Sequence, residues 1–313
     1  MKKILLTLLV SATTIAAMAV PAHPRMRTYQ QPDGTVINYF VRGDETYHYE
    51  VDLEGNMLEL NEEGYMLPVG KQTSDNIRSK RASARIRHQA KPRKTSVNLA
   101  PRGLFILVNF TNTTYKSTNS KSEMNKMLNQ SGYNYDGSPG SVRDYFIDQS
   151  DGKYSPQFDV YGPVTVSHKS RYYAGSDGTE KAEEMVIEAC QQLDDSIDFS
   201  LYDGDNDGFV DFVYIIYAGK GQADSNDKST IWPHQYYIYS GLGRTVTLDG
   251  KKLDNYACGP ELNGVSGNRN GIGTLCHEFG HVLGLPDYYD VVYGTNYNSA
   301  KTPNEWHIMD AGS

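Results

Sequence analysis

The run His277-Glu278-Phe279-Gly280-His281-Val282-Leu283-Gly284-Leu285-Pro286-Asp287 constrains this chain more than any other segment. It reads HExxHxxGxxD. On a helix, residues four apart share one face, so His277 and His281 can offer both imidazoles to a single Zn²⁺. Glu278 is the next residue round, placed to act as general base on a water held by that zinc. Gly284 and Pro286 end the helix, because glycine takes backbone angles forbidden to a side chain and proline cannot continue a helix. Asp287 falls just past the turn, where it can supply a third ligand. Three protein ligands plus a water describe an open, catalytic zinc site and not a closed, structural one. A core helix with two hydrogen-bonded histidines would show the same apolar face of Leu275, Phe279, Val282 and Leu283. The glycine and the acid at their offsets distinguish the metal reading from it.

The segment Trp306-His307-Ile308-Met309-Asp310 follows the motif. HEFGHVLGLPDYYD followed by WHIMDAGS resembles the immune inhibitor A-type metallopeptidases, bacterial secreted metzincins. The same pattern fits GLFILVNFTN at 103–112, GSVRDYFIDQSDGKYSP at 140–156, DGDNDGFVDFVYIIYAG at 203–219 and IWPHQ at 231–235. The resemblance implies an α/β fold, a metzincin-like zincin catalytic domain with a twisted mixed sheet and backing and active-site helices. It implies zinc ligands His277, His281 and Asp287, the base Glu278, and Met309 as the methionine of the tight turn beneath the metal. It also implies a further C-terminal subdomain walling the S1′ pocket. Only four residues follow Met309, so the expectation is a C-terminally incomplete catalytic domain over 101–313.

Residues 1–22 read as a signal peptide. Lys2 and Lys3 precede the apolar run Ile4–Val10, and Ala17-Met18-Ala19 offers a cleavage site. No second apolar run is long enough to span a bilayer. The expectation is an exported protein without a stable membrane anchor. Charge is uneven along the chain. Residues 1–94 carry 14 Lys/Arg and 10 Asp/Glu, whereas 95–313 carry 16 and 28. An acidic catalytic region argues against nucleic acid or an anionic membrane as partner; the resemblance implies protein or peptide substrates.

Residues 23–77 alternate Tyr, Val and Phe with the turn pairs Asp33-Gly34, Glu54-Gly55 and Glu63-Gly64, which reads as a small β-rich pro-segment. Residues 78–100 hold a basic run of eight Lys/Arg without any acid, from Arg78 to Lys94. Such a run cannot bury a core and reads as an exposed linker open to trypsin-like cleavage. The pro-segment has no Cys, so a thiolate switch on zinc is ruled out. Asp44, Glu45 and His48 are its candidate inhibitory ligands, with steric blocking as the alternative. Further on, strands are expected at Leu104–Phe110, Phe158–Ser167, Phe209–Ala218 and Ile231–Tyr239. Pro163 places the second of these at an edge. Helices are expected over Ser122–Leu128, Ser141–Gln149, Glu180–Leu193 and Gly271–Leu285, and the alternation predicts a mixed sheet.

Asp203, Asp205, Asp207 and Asp211 form a DxDxDG pattern that can wrap one hard cation in oxygen ligands. Tyr214 stands where an EF-hand needs its bidentate Glu. The reading is therefore a calcium-braced loop of the kind the resemblance implies, with a solvated acidic turn as the alternative. His234 follows Trp232-Pro233 on the expected edge strand. There an extended substrate would add as a β-strand, so it is a candidate substrate-binding residue; a packing role bonded to backbone is the alternative. Glu305 and His307 are rival third zinc ligands. Three Cys are too few for a disulfide scaffold; Cys190 reads as buried, and Cys258 and Cys276 are left as a possible pair. The function expected is a secreted zinc-dependent endopeptidase. The alternatives are a non-catalytic exported adhesion protein, which has no need of Glu278, and an inactive truncated zymogen.

Overall fold

Two sheets dominate the computed structural model, which describes residues 22, 25–44, 48–70, 99–175, 180–289, 302–303 and 306–310. The expected signal sequence through residue 21, the basic segment 71–98, Glu45 and Glu305 lie outside the described residues. The first sheet is an antiparallel meander of β1 (Arg27–Gln30), β2 (Val36–Gly43), β3 (His48–Val51), β4 (Met57–Leu60) and β5 (Met66–Pro68), paired in sequence order. Gly34 and Gly64 sit in its tight turns, their amides bonded to the carbonyls of Gln31 and Asn61.

The second sheet carries the site. It contains β6 (Arg102–Asn109), β7 (Gln157–Thr165), β8 (Val213–Lys220), β9 (His234–Tyr237) and β12 (Asn255–Leu262), in the order β7-β6-β8-β12-β9. A small hairpin of β10 (Val246–Leu248) and β11 (Lys251–Leu253) stands apart. The first four strands of the large sheet run parallel, and β9 closes the edge antiparallel to β12. Parallel strands are covered on both faces, and β6 shows why its sequence is continuously apolar. Leu104, Ile106 and Val108 face one core, while Phe105 and Leu107 face the other. Helix α3 (Ala182–Gln192) buries Met185, Val186, Ala189 and Cys190 in the first core. Helices α1 (Lys121–Asn129), α2 (Val142–Gln149) and α4 (Ile272–Val282) pack on the second face.

Three differences from the sequence expectations have local causes. The strand expected from Phe209 begins only at Val213, because the Phe209 and Val210 amides bond Asp207 Oδ1 and the Lys252 carbonyl, outside the sheet. The strand expected over Ile231–Tyr239 is confined to His234–Tyr237. Asp254 ends it, accepting from the Ile238 amide through its carbonyl and from the Tyr239 amide through its carboxylate, and a helical turn follows. Cys258 and Cys276 are free thiols buried in opposite cores, so they do not pair.

Helix α4 has no side-chain cap at its N-terminal Gly271. A glycine in place of a capping side chain costs roughly a few tenths of a kcal/mol. Phe279 offsets this from the buried face, packing against Phe212 at 4.8 Å, Phe146 at 5.0 Å and Phe158 at 5.4 Å between ring centroids. Such ring pairs contribute about 0.5–1.5 kcal/mol each beyond their burial. Tertiary packing, more than helix propensity, therefore sets where the two histidines stand.

Candidate metal centre and active site

Helix α4 carries His277, Glu278 and His281, all buried. The two imidazoles approach with Nε2 to Nε2 at 3.1 Å. Asp287 Oδ1 lies 3.2 Å from His277 Nε2 and 3.4 Å from His281 Nε2. Three ligand atoms thus converge on one point.

The turn after the helix makes this possible. Gly284 adopts φ 88°, a left-handed conformation unfavourable for other residues. Its amide bonds the His281 carbonyl, and the Leu285 amide bonds the Gly280 carbonyl. The chain reverses, and the Leu285 carbonyl returns to accept from His281 Nδ1 at 2.8 Å. On the other side, the Ile308 carbonyl accepts from His277 Nδ1 at 2.7 Å. With each Nδ1 donating to a carbonyl, each neutral ring turns an Nε2 lone pair to the shared point. Two lone pairs and a carboxylate oxygen at these separations repel one another unless a cation lies among them. Burial, and then the neighbouring His277, hold His281 well below the usual histidine range, which favours the ligating form. Two imidazole nitrogens and one carboxylate oxygen are a donor set that suits Zn²⁺.

Met309 lies fully buried beneath the helix. A Cβ on Gly280 would meet its Sδ at 2.5 Å, so this glycine is the clearance that lets the methionine turn press against α4. The Tyr288 amide bonds the Met309 carbonyl, joining the segment after Asp287 to the turn. His307 belongs to the turn itself: its Nδ1 accepts from the Met309 amide at 3.0 Å, and its ring meets Tyr288. It is not among the converging ligand atoms.

Residues 106–313 match the family described as "Immune inhibitor A peptidase M6, catalytic domain". The chain belongs to the immune inhibitor A peptidase family. Among its relatives, the pre-pro-metalloprotease PrtV of Vibrio cholerae serotype O1 (strain ATCC 39315 / El Tor Inaba N16961) is 30% identical over 211 residues, covering 55% of this chain and 21% of that protein. Immune inhibitor A of Bacillus thuringiensis subsp. alesti is 29% identical over 206 residues, covering 55% of this chain and 28% of that protein. The chain thus spans between a fifth and a third of the length of these relatives. Membership in the immune inhibitor A peptidases makes 106–313 a peptidase catalytic domain of metzincin-like α/β fold, in a class of zinc metallopeptidases.

The acidic loop lies apart from this centre. Asp203, Asp205 and Asp211 bring carboxylate oxygens together, and Asp207 does not join them. Its Oδ1 accepts from the Phe209 amide. Burial, with the charges of Asp205, Asp203 and Asp207, pushes Asp211 up to about 6. Lys251, from the β10–β11 hairpin, places its ammonium 2.6 Å from Asp203 Oδ2 and neutralises part of the cluster. His234 is buried at the start of β9. Its Nδ1 lies 2.7 Å from the Trp232 carbonyl and its Nε2 lies 2.8 Å from the Tyr256 hydroxyl, an arrangement that favours the packing role.

Of the inhibitory-ligand candidates of the N-terminal module, Asp44 and His48 are among the described residues. Asp44 is buried but is not among the converging ligand atoms, and His48 faces residues 222–232. The sequence reading missed the carbonyls of Leu285 and Ile308, the clearance at Gly280 and the counter-charge of Lys251. A carbonyl has no residue signature, and Lys251 lies 48 positions from the Asp203 it pairs with.

Proposed function

We propose that this chain carries the catalytic part of an exported zinc-dependent endopeptidase, held latent by its N-terminal module. The observation that carries the reading is the convergence of His277 Nε2, His281 Nε2 and Asp287 Oδ1 beside the buried Glu278. These three residues would hold the zinc. When bound, zinc supplies the Lewis acidity that acidifies a water and favours negative charge on a substrate carbonyl oxygen. Glu278 takes the proton from the attacking water and returns it to the leaving amine as the peptide bond breaks. His277 and His281 keep their Nδ1 protons on the Ile308 and Leu285 carbonyls and so stay in one tautomer. Substrates are proteins or peptides. Among the described residues, no helix is long and apolar enough to cross a membrane. Lys2, Lys3 and the apolar run after them support export.

Limited trypsin treatment of the precursor tests the reading. Cleavage within 78–94 is expected to switch on hydrolysis of unfolded proteins. Phenanthroline should abolish that activity and zinc should restore it. Full activity before any cut, or no gain after a cut there, would leave the N-terminal module an accessory domain.

A calcium ion on Asp203, Asp205 and Asp211 is the second element of the proposal, with Asp207 shaping the loop. Three carboxylates within reach of one another and a carboxyl pushed up to about 6 support it. At calcium concentrations of about a millimolar, melting temperature should rise, by about 2–4 °C per kcal/mol of binding to the folded state. Asp205→Asn/Asp211→Asn should lose the rise. If that double variant gains as much as the wild type, the loop is not the site.

A further inference from the structure

The N-terminal meander is seated on the catalytic domain, and its polar contacts gather on the connection between β8 and β9. The Arg25 and Arg27 guanidiniums donate to the carbonyls of Asp224 and Ala223. Asn226 donates to the Tyr39 hydroxyl, and Lys228 pairs with Glu50 at 3.4 Å. Tyr39, Val41, Leu58 and Met66 form one apolar cluster with Ala223 and Trp232. At its centre His48 stacks on Trp232, with ring centroids 4.4 Å apart and planes 22° from parallel. The Gln222 amide nitrogen lies 2.8 Å from His48 Nε2.

We propose that residues 222–232 are a receptor surface for the chain's own N-terminal module, and that His48 is the proton-sensitive key of this docking. Neutral His48 fills the place between Trp232 and Gln222; protonation brings a charge into this buried contact. Its surroundings are mixed. Glu50 and Asp44, from its own module, favour the proton; Lys228, from the receptor surface, opposes it. The guanidiniums of Arg25 and Arg27 and the carboxylate of Asp224 lie further along the same contact. Burial is the largest influence and holds His48 below the ordinary histidine value.

The sign follows from this direction. The docked module binds the proton less readily than the free one, so protons favour release. Docking is undiminished above the ordinary histidine value of about 6.5 and weakens by up to about tenfold per pH unit below it, until the docked value is reached. The surface also bears on the site. The Trp232 carbonyl holds His234 at the start of β9, and β9 is the edge strand beside α4. A module gripping this connection therefore sits at the leader of the edge strand.

The inference deepens the latency reading, and its test reads docking without activity, so that each can fail alone. Hydrogen exchange is followed on the full chain carrying Glu278→Ala to prevent self-cleavage. At about pH 7.5, residues 36–43 and 222–232 are expected to be protected together; at about pH 5, after correction for intrinsic exchange, both should lose protection by tenfold or more. His48→Phe keeps a ring on Trp232 and should hold its protection at both values. Equal protection of the wild-type chain at both, or an identical loss in His48→Phe, overturns the proposal. Should His48→Phe fail to dock at all, the His48 imidazole is titrated by NMR in the full chain. A midpoint below the ordinary value, coincident with loss of the contacts, supports the key. An ordinary midpoint with the contacts intact overturns it.

Discussion

Glu278→Ala, in the chain freed of its N-terminal module, is expected to keep its zinc and lose turnover by about 10²–10⁴-fold, the contribution of a positioned general base. The ligands belong to other side chains, so metal content should stay at the wild-type level. The fold should also survive. Glu278 is buried within α4, alanine is the best helix former, and removing a buried carboxylate relieves its desolvation. Melting temperature should therefore be unchanged or higher. Loss of turnover with zinc content and stability intact isolates the proton-transfer role. Near wild-type hydrolysis would rule Glu278 out as the base. Loss of zinc along with turnover would mean that the substitution acts through the metal, and the assignment would again be unsupported.

The parts of this molecule legible in the sequence are those whose signal is local. The site helix showed itself because His277 and His281 are one turn apart and Leu275, Phe279 and Val282 recur at helical spacing. Gly284 and Pro286 marked its end, and Gly284 does take a left-handed angle there. Parallel strands buried on both faces read as continuous apolar runs, which is how β6 and the greater part of β8 were visible, and Pro163 does lie in the edge strand β7. What stayed hidden depends on distant partners. The β10–β11 hairpin turns on Asp249 and Gly250, both with positive φ, and its turn pair stands plainly in the sequence. Its purpose does not, because that purpose is to bring Lys251 and the Lys252 backbone to the loop at 203–210. The early end of β9 is likewise set by Asp254, across the sheet. The docking of His48 on Trp232 joins residues 184 positions apart, and neither has a period or motif that announces it.

Asp287→Ala is expected to weaken zinc binding by more than about 100-fold, beyond the 10–100-fold typical when a residue that only orients a ligand is removed. The reason is geometric. Asp287 Oδ1 lies within 3.4 Å of both imidazole Nε2 atoms, so its loss leaves two protein ligands where an open zinc site uses three. Asp287 stands there because Gly284 turns the chain and Leu285 returns its carbonyl to His281. His307→Ala should leave zinc content unchanged, since the His307 Nδ1 is engaged by the Met309 amide and its ring by Tyr288. It should instead loosen the methionine turn, and with it the Ile308 carbonyl that orients His277, so a modest fall in melting temperature is the expected trace. Glu305→Ala should likewise keep its zinc. Metal analysis after dialysis against a weak chelator, run on the three variants together, decides among the ligands. Zinc retained by Asp287→Ala and lost by Glu305→Ala would move the third ligand to the distant glutamate. Loss from His307→Ala alone would move it into the turn beneath the helix.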